Sequence, residues 1–383
     1  MDFALTEELE AVKATAHEFA EHELLPRATQ HDRDAHIEPA VFQKMAELGF
    51  WGLTVPEEYG GAALGNLALS IVLEELNWGC AATGVTVSVH NSLVCSPITK
   101  YGTAEQKKRW LPKLASGEIL GAYCLTEPNS GSDAAALKTR AEKVGSDWVL
   151  NGTKVWVTTG SLAGVLIVYA RTDPTVHKAK GITAFIVPTS TPGVTIGKKE
   201  LKCGIRGSPA VEIIFENVKL GADAVLAEVH RGFPIALDTL DGGRIGIASQ
   251  AIGIGRACLE ASIKYSKERE QFKKPIAEFQ AVQWKLADMA AKLDAARLLV
   301  HRAAWLRDHG RPCGREAAMA KLLASQACNY AADECLQIHG GAGYTDHFTV
   351  ERLFRDARIT EIYEGATDIQ RLVIARSLLT TGA

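Results

Sequence analysis

From Glu7 to about Ala115, apolar residues recur three and four positions apart, the spacing that gathers them on one side of an α-helix. The pattern predicts an amphipathic helix over Glu7–Ala28 capped by Thr6, and others over Pro39–Leu48, Asn66–Asn77, Ala81–Tyr101 and Thr103–Ala115. Pro56, Gly60, Gly61 and Gly65 mark a loop among them. Near Ile119 the pattern changes to short β-branched runs separated by turn residues. Leu166–Ala170, Ile182–Val187, Val194–Lys198 and Val211–Phe215 read as strands. Trp148–Leu150 and Thr153–Val157 flank Asn151-Gly152, a pair that tolerates the positive φ of a type I′ turn, and so predict a hairpin.

Past Gly232 the helical period returns. It covers Arg244–Arg269, Glu278–Arg307, Arg315–His339 and Thr367–Leu379, with Pro275 and Pro312 in the breaks. Long helices joined by short loops suggest an antiparallel bundle. The predicted order is a helical domain over 1–118, a β domain over 119–230 and a helical bundle over 231–383: an α+β protein, mainly α.

Composition changes this picture little. The 383 residues suffice for two or three domains, and 47% apolar with 23% charged residues is the profile of a folded chain. A net charge of −3 gives no electrostatic reason to expect nucleic acid or an anionic membrane as partner. No apolar run approaches the roughly 18–20 residues of a membrane span. The acidic start, Met1-Asp2-Phe3, resembles neither a signal nor a transit peptide. The eight cysteines are scattered with no CxxC pair, as in buried thiols of a reducing compartment. The expectation is a cytoplasmic protein, or a matrix protein after loss of a presequence.

Five stretches carry candidate chemistry. Tyr123-Cys124-Leu125-Thr126-Glu127-Pro128-Asn129-Ser130-Gly131-Ser132-Asp133 leaves an apolar run for a turn rich in hydroxyls and amides, able to meet a flavin ring or phosphate oxygens. Trp156-Val157-Thr158 places an indole and a hydroxyl on one sheet face. Arg269-Glu270-Gln271-Phe272 ends a long helix with a guanidinium fork suited to a pyrophosphate. Gln337-Ile338-His339-Gly340-Gly341-Ala342-Gly343-Tyr344 stops a helix with glycines that allow close approach. Ile362-Tyr363-Glu364-Gly365 sets a lone carboxylate between an aromatic and a glycine at a helix start. Taken singly, each has an ordinary reading as turn chemistry, core packing or a helix end.

In this order the stretches resemble the acyl-CoA dehydrogenase family, most closely its short-chain, butyryl-CoA branch, and the resemblance runs to Arg376. Asp241-Gly242-Gly243-Arg244-Ile245-Gly246-Ile247-Ala248 is similar to short-chain members too. The resemblance implies a β-barrel-like middle domain, a C-terminal four-helix bundle, FAD, an electron-transferring flavoprotein as acceptor, and a homotetramer. It implies that Tyr123, Leu125, Thr126, Gly131, Ser132, Trp156 and Thr158 hold the flavin, with Trp156 near the route by which electrons leave. Arg269, Gln271, Phe272 and Gln280, with Gln337, Gly340 and Gly341 from a neighbouring subunit, would hold the pyrophosphate and adenosine. Ala366 and Asp368 would also line the cofactor, and Ser132, Asp241 and Arg244 the CoA portion. Glu364 would be the base, its amide hydrogen-bonding the thioester oxygen, with Gly365 beside the thioester.

Four positions depart from the family pattern: Lys273 where glycine is usual, Ala366 for threonine, Asp368 for Glu or Gln, and His347 for an acidic residue. Branched-chain relatives carry their base immediately before an arginine. Here Gly243 precedes Arg244, which leaves Glu364. Glutaryl-type relatives place an arginine where Gly84 aligns, which disfavours a dicarboxylic substrate. The open alternatives are a small branched, cyclic or aryl-substituted acyl group, an oxygen-using oxidase of the same fold, and an inactive acyl-CoA-binding relative. Gly253-x-Gly255 lies inside a predicted helix, out of the Rossmann context, and the eleven histidines lack metal-ligand spacing.

Overall fold

The computed structural model describes residues 4–382, so Met1–Phe3 of the acidic start lie outside it. Helix α1 (Glu7–Phe19) is capped by Thr6, whose Oγ1 accepts the Leu9 N–H at 3.3 Å. The helix predicted over Glu7–Ala28 is not continuous. A wider π-type turn over Ala20–Leu24 seats Ala20 and Leu24 in the core, and α2 (Ala28–Asp34) begins after Pro26, which has no N–H to extend the ladder. Helices α3 (Pro39–Glu47) and α4 (Gly65–Gly79) stand where the periodicity placed them. The run Ala81–Tyr101 divides into α5 (Ala81–Val89), a buried π-type turn over His90–Cys95, and α6 (Ser96–Tyr101), with Pro97 at the junction. Thr103 and Gln106 form a reciprocal capping box on α7 (Ala104–Ala115).

Eight strands form one mixed sheet: β1 (Leu120–Cys124), β2 (Arg140–Val144), β3 (Asp147–Thr158), β4 (Ala163–Arg171), β5 (Ile182–Pro188), β6 (Val194–Lys199), β7 (Ala210–Leu220) and β8 (Val225–Leu226). Their spatial order is β6-β7-β3-β2-β4-β5-β8, with β1 parallel to β4. The hairpin predicted at Asn151-Gly152 is absent. Strand β3 runs straight through that pair because β7 is long enough to pair with both halves, and the β2–β3 turn falls at Gly145-Ser146. Gly152 serves close packing instead: a Cβ there would lie 2.5 Å from Thr139 Oγ1.

Helix α8 (Gly232–Glu268) is 37 residues long and spans the molecule. It leads through a two-strand ribbon, β9 (Glu270–Gln271) and β10 (Lys274–Pro275), to α9 (Gln280–Asp308), α10 (Gly314–His339), α11 (Val350–Arg358) and α12 (Thr367–Thr381). Gly253 and Gly255 are packing positions within α8, where a Cβ would meet Glu74 O and Leu293 Cδ2, each at 2.4 Å. The largest apolar core lies where α8 and α10 face the N-terminal helices, and it includes Val85, Leu93, Ile247, Ala251 and Ala324.

Candidate active site

The carboxylate Glu364 sits on a turn that the backbone does not adopt freely. Its φ is 50°, the left-handed region that disfavours a side chain, and Gly365 follows at φ 97°. Such a non-glycine residue costs on the order of 1 kcal/mol and persists only where its surroundings hold it. Here they do. Gln370, one turn into α12, donates from Nε2 to Gly365 O at 2.7 Å and to Glu364 O at 3.3 Å, and Lys321 Nζ, from α10, donates to Gly365 O at 2.8 Å. A Cβ at Gly365 would come within 2.4 Å of Gln370 Nε2, so the glycine is needed for contact as well as for φ.

The side chain of Glu364 points into the protein. Although the residue as a whole is only half-buried, Oε2 is shut off from solvent and has no hydrogen-bond partner among the described residues. Burial pushes the carboxyl up to about 7, against the opposing charges of Lys321 and Arg244. Its neighbours respond in turn. The Tyr123 and Tyr363 hydroxyls are pushed well above their ordinary range, first by burial; the Glu364 charge is the next cause at Tyr363, while at Tyr123 it adds to the larger effect of neighbouring Tyr169. Tyr363 Oη donates to Gln250 Oε1 on α8.

Space for this carboxylate comes from α8. A Cβ at Gly243 would stand 2.0 Å from Glu364 Oε2 and 2.9 Å from Leu93 Cδ2. The next residue, Arg244, is buried and bonds Asp241 Oδ1 at 2.5 Å, one turn back on the same helix. Burial raises the Asp241 carboxyl, with Arg244 the main opposing charge. Glu364, Gly365, Arg244 with its partner Asp241, and Tyr123 are therefore brought together, although the family resemblance places Tyr123 with the flavin and Asp241 and Arg244 with the CoA portion. Gly243, Lys321 and Gln370 were not singled out for these roles. Lys321 was detectable: it falls on the stripe of Ala317, Ala320 and Ala324 that α10 buries.

A second group lies at the end of the sheet. Thr126 O accepts the Val155 N–H at 2.9 Å, which ties the Thr126–Ser132 loop to β3. The β3–β7 ladder slips between Lys154 and Val157, leaving Val155 and Trp156 out of register. Trp156 has φ 58° and is 60% exposed, while Thr158 is half-buried on the same strand end. Leu125 is buried, Thr126 half-buried, and Gly131 and Ser132 are exposed, with nothing within 4 Å of a Cβ at Gly131. Beneath the loop, fully buried Lys154 bonds Leu125 O at 3.0 Å and Glu127 Oε1 at 2.7 Å. The Glu127 carboxylate also accepts the Lys138 and Thr139 N–H groups. An uncovered indole, a bulged backbone and a hydroxyl-bearing loop on a rigid base fit the flat, hydrogen-bonding ring of a flavin.

Arg269, Gln271, Phe272 and Gln280 cluster elsewhere, at the β9–β10 ribbon and the start of α9, and all four are exposed. They lie roughly 40 Å from Gly243 along α8. Phe272 and Lys273 have φ 55° and 65°, so the two-residue turn keeps its left-handed backbone even though lysine stands where glycine is usual. Gln337, Gly340 and Gly341, at the end of α10, are exposed as well, with open space around both glycines. Ala366 caps α12 beside the carboxylate, and exposed Asp368 pairs with Arg371 at 2.8 Å.

The profile of the acyl-CoA dehydrogenase N-terminal domain matches residues 6–118, that of the middle domain residues 122–218, and that of the C-terminal domain residues 230–379. The chain belongs to the acyl-CoA dehydrogenase family. Members of this family are FAD-dependent oxidoreductases. The mitochondrial short-chain specific acyl-CoA dehydrogenase of Bos taurus is 50% identical over 98% of this chain and 91% of its own. Butyryl-CoA dehydrogenase from Megasphaera elsdenii superposes with a TM-score of 0.97 at 42% identity, over 99% of this chain and all of its own. A chain from a structure of the electron transferring flavoprotein of Acidaminococcus fermentans gives 0.97 at 44% identity, over 99% and 100% of the two chains. Among the described residues, no helix of the chain is long and apolar enough to cross a membrane.

Proposed function

We propose that the chain desaturates the Cα–Cβ bond of a short, linear acyl-CoA thioester to the trans-2-enoyl-CoA, with Glu364 as the base. The observation that carries this reading is the Glu364 carboxylate itself: desolvated, unbonded at Oε2 and raised to about 7. A carboxylate in water is too weak to take a proton from carbon beside a thioester. Desolvation strengthens it, and its titration near neutral pH keeps a useful fraction ionised. The Glu364 amide is the chain's donor for the thioester oxygen, where negative charge develops as the α-proton leaves. Bound FAD would supply the acceptor for the β-hydrogen and its electron pair, so that desaturation balances as one proton to Glu364 and one hydride to the cofactor. Trp156, Thr126 and Thr158 hold its ring in this reading, on the platform that Lys154 and Glu127 brace. Ser132, Asp241 and Arg244 meet the CoA portion.

Two features favour a short, linear acyl group. Tyr363 closes onto Gln250 about 10 Å along α8 from Gly243, and in this reading the pair bounds the acyl pocket. At Gly84, a Cβ would lie 2.3 Å from Asn77 Nδ2, so no long cationic side chain reaches a distal carboxylate from that position. The similarity to short-chain and butyryl-CoA dehydrogenases supports the same size. The distant cluster of Arg269, Gln271, Phe272 and Gln280 suits a cofactor shared between subunits; Gln337, Gly340 and Gly341 lie at the same end of the chain, where His339 stacks on Tyr265 at 4.2 Å, so one subunit would supply both groups across the boundary. Exposed Phe272, Tyr344 and Leu379 supply apolar surface for the subunit contacts this requires, within the proposed homotetramer. An electron-transferring flavoprotein is the proposed acceptor and the cytoplasm the proposed compartment. Anaerobic titration of the yellow protein with butyryl-, isobutyryl-, phenylpropionyl- and glutaryl-CoA tests the acyl assignment. Butyryl-CoA is expected to bleach it fastest. Bleaching by the aryl thioester alone would refute a linear substrate.

A further inference from the structure

We propose that Lys321 is a positioning residue for this reaction: its ammonium anchors the Glu364–Gly365 turn from α10 and supplies a counter-charge that leaves Glu364 Oε2 free to take the proton. The inference rests on Glu364 being the base. Lys321 is fully buried, yet among the described residues no carboxylate pairs with it at contact distance; its hydrogen bond goes to Gly365 O at 2.8 Å. Buried ammonium groups normally contact a carboxylate, because desolvation of an unpaired cation costs several kcal/mol. A direct Lys–Glu bond would occupy the lone pair that accepts the substrate proton and would depress the carboxyl well below its present range. Placing the cation one peptide away avoids both effects. It fixes the left-handed turn and still favours the ionised carboxylate through space.

The charged and titratable groups around the base are few. Lys321 faces it from α10, Arg244 from α8 with Asp241 behind it, Tyr123 from β1, and Tyr363 from its own turn. Glu361 adds negative charge near Lys321, and Arg244 adds positive charge. Asp241 already bonds Arg244, so Lys321 is the cation whose charge Glu364 can draw on most fully. Burial pushes Lys321 down to about 8 while Glu364 rises to about 7, so the two groups favour each other's charged forms around neutral pH.

Two variants separate the bond from the charge. Lys321→Gln keeps a donor for Gly365 O and loses the cation, whereas Lys321→Met loses both. Each is loaded with FAD, checked for retained flavin and melting temperature, and followed by anaerobic single-turnover bleaching with butyryl-CoA across pH. The carboxyl of Glu364 is titrated independently in substrate-free protein by pH-difference infrared spectroscopy, with Glu364→Gln as the blank. In both variants the carboxyl titration and the acid limb of the bleaching profile are expected to move up by about one unit, a roughly tenfold loss of rate on that limb. Lys321→Met should additionally lose rate on the plateau because the turn is no longer held. If Lys321→Gln titrates and bleaches as the parent does, the counter-charge role is wrong, even should Lys321→Met fail to fold. Failure of the base reading looks different: Glu364→Gln would then bleach like the parent, although the Glu364 carboxyl band would still be present in the parent and absent from the variant.

Discussion

Glu364 combines a left-handed backbone, a desolvated carboxylate and a space provided by a missing side chain on α8. That space makes Gly243→Ala a sharp test, since the added methyl would overlap Glu364 Oε2. The expected result is a loss of at least about 100-fold in bleaching rate, as for misplacement of a catalytic group by about 1 Å, with flavin retained. Stability should also depend on pH through this residue. The folded carboxyl titrates at about 7 instead of 4.5, so ionising it opposes folding. Nothing is lost below the unfolded value, and the penalty grows as pH rises through 7 to roughly 3 kcal/mol. Relative to the parent, Glu364→Gln should therefore melt higher near about pH 8 and equally near about pH 4. Equal melting at both would contradict the buried-carboxylate account.

At the scale of elements, the helices were legible where one face is apolar, and the strands where β-branched runs are bounded by turns. The failures have physical causes. Helix α11 was missed because its buried face carries Arg352 and Asp356, a polar pair that hides the stripe, and Asp356 accepts the Ile205 N–H. The false hairpin arose because Asn151-Gly152 satisfies turn chemistry locally while β7 offers an unbroken partner, a tertiary effect that no local window contains. The supports of the site were harder to see than its motifs, because Lys154 and Lys321 are cations inside a core and acquire meaning from partners 27 and 44 residues away. Lys154→Met would leave Glu127 as an unmatched buried charge. It should destabilise the protein by about 3–5 kcal/mol and loosen flavin retention, read as a lower melting temperature and faster loss of yellow colour on dilution. In the β9–β10 turn, Lys273→Gly should stabilise by up to about 1 kcal/mol, because the lysine holds φ 65°.

For the whole molecule, α8 holds the groups together and also keeps them apart. Its Gly243 end builds the pocket around the base, and its Arg269 end presents a cationic, aromatic cluster too distant to serve the same pocket in one chain. Cofactor binding and assembly should consequently be linked. Phe272→Asp is expected to give a smaller species in sedimentation, with proportionate loss of flavin. A full-sized assembly with full flavin content would refute the shared-cofactor arrangement.

The most direct measurement is single-turnover flavin bleaching by butyryl-CoA in Glu364→Gln and its parent under anaerobic conditions, from about pH 5 to about pH 9. The parent rate is expected to rise through a carboxyl titration near 7, while the variant stays yellow and still binds the thioester. Bleaching of the variant at the parent's rate would mean that another group removes the proton.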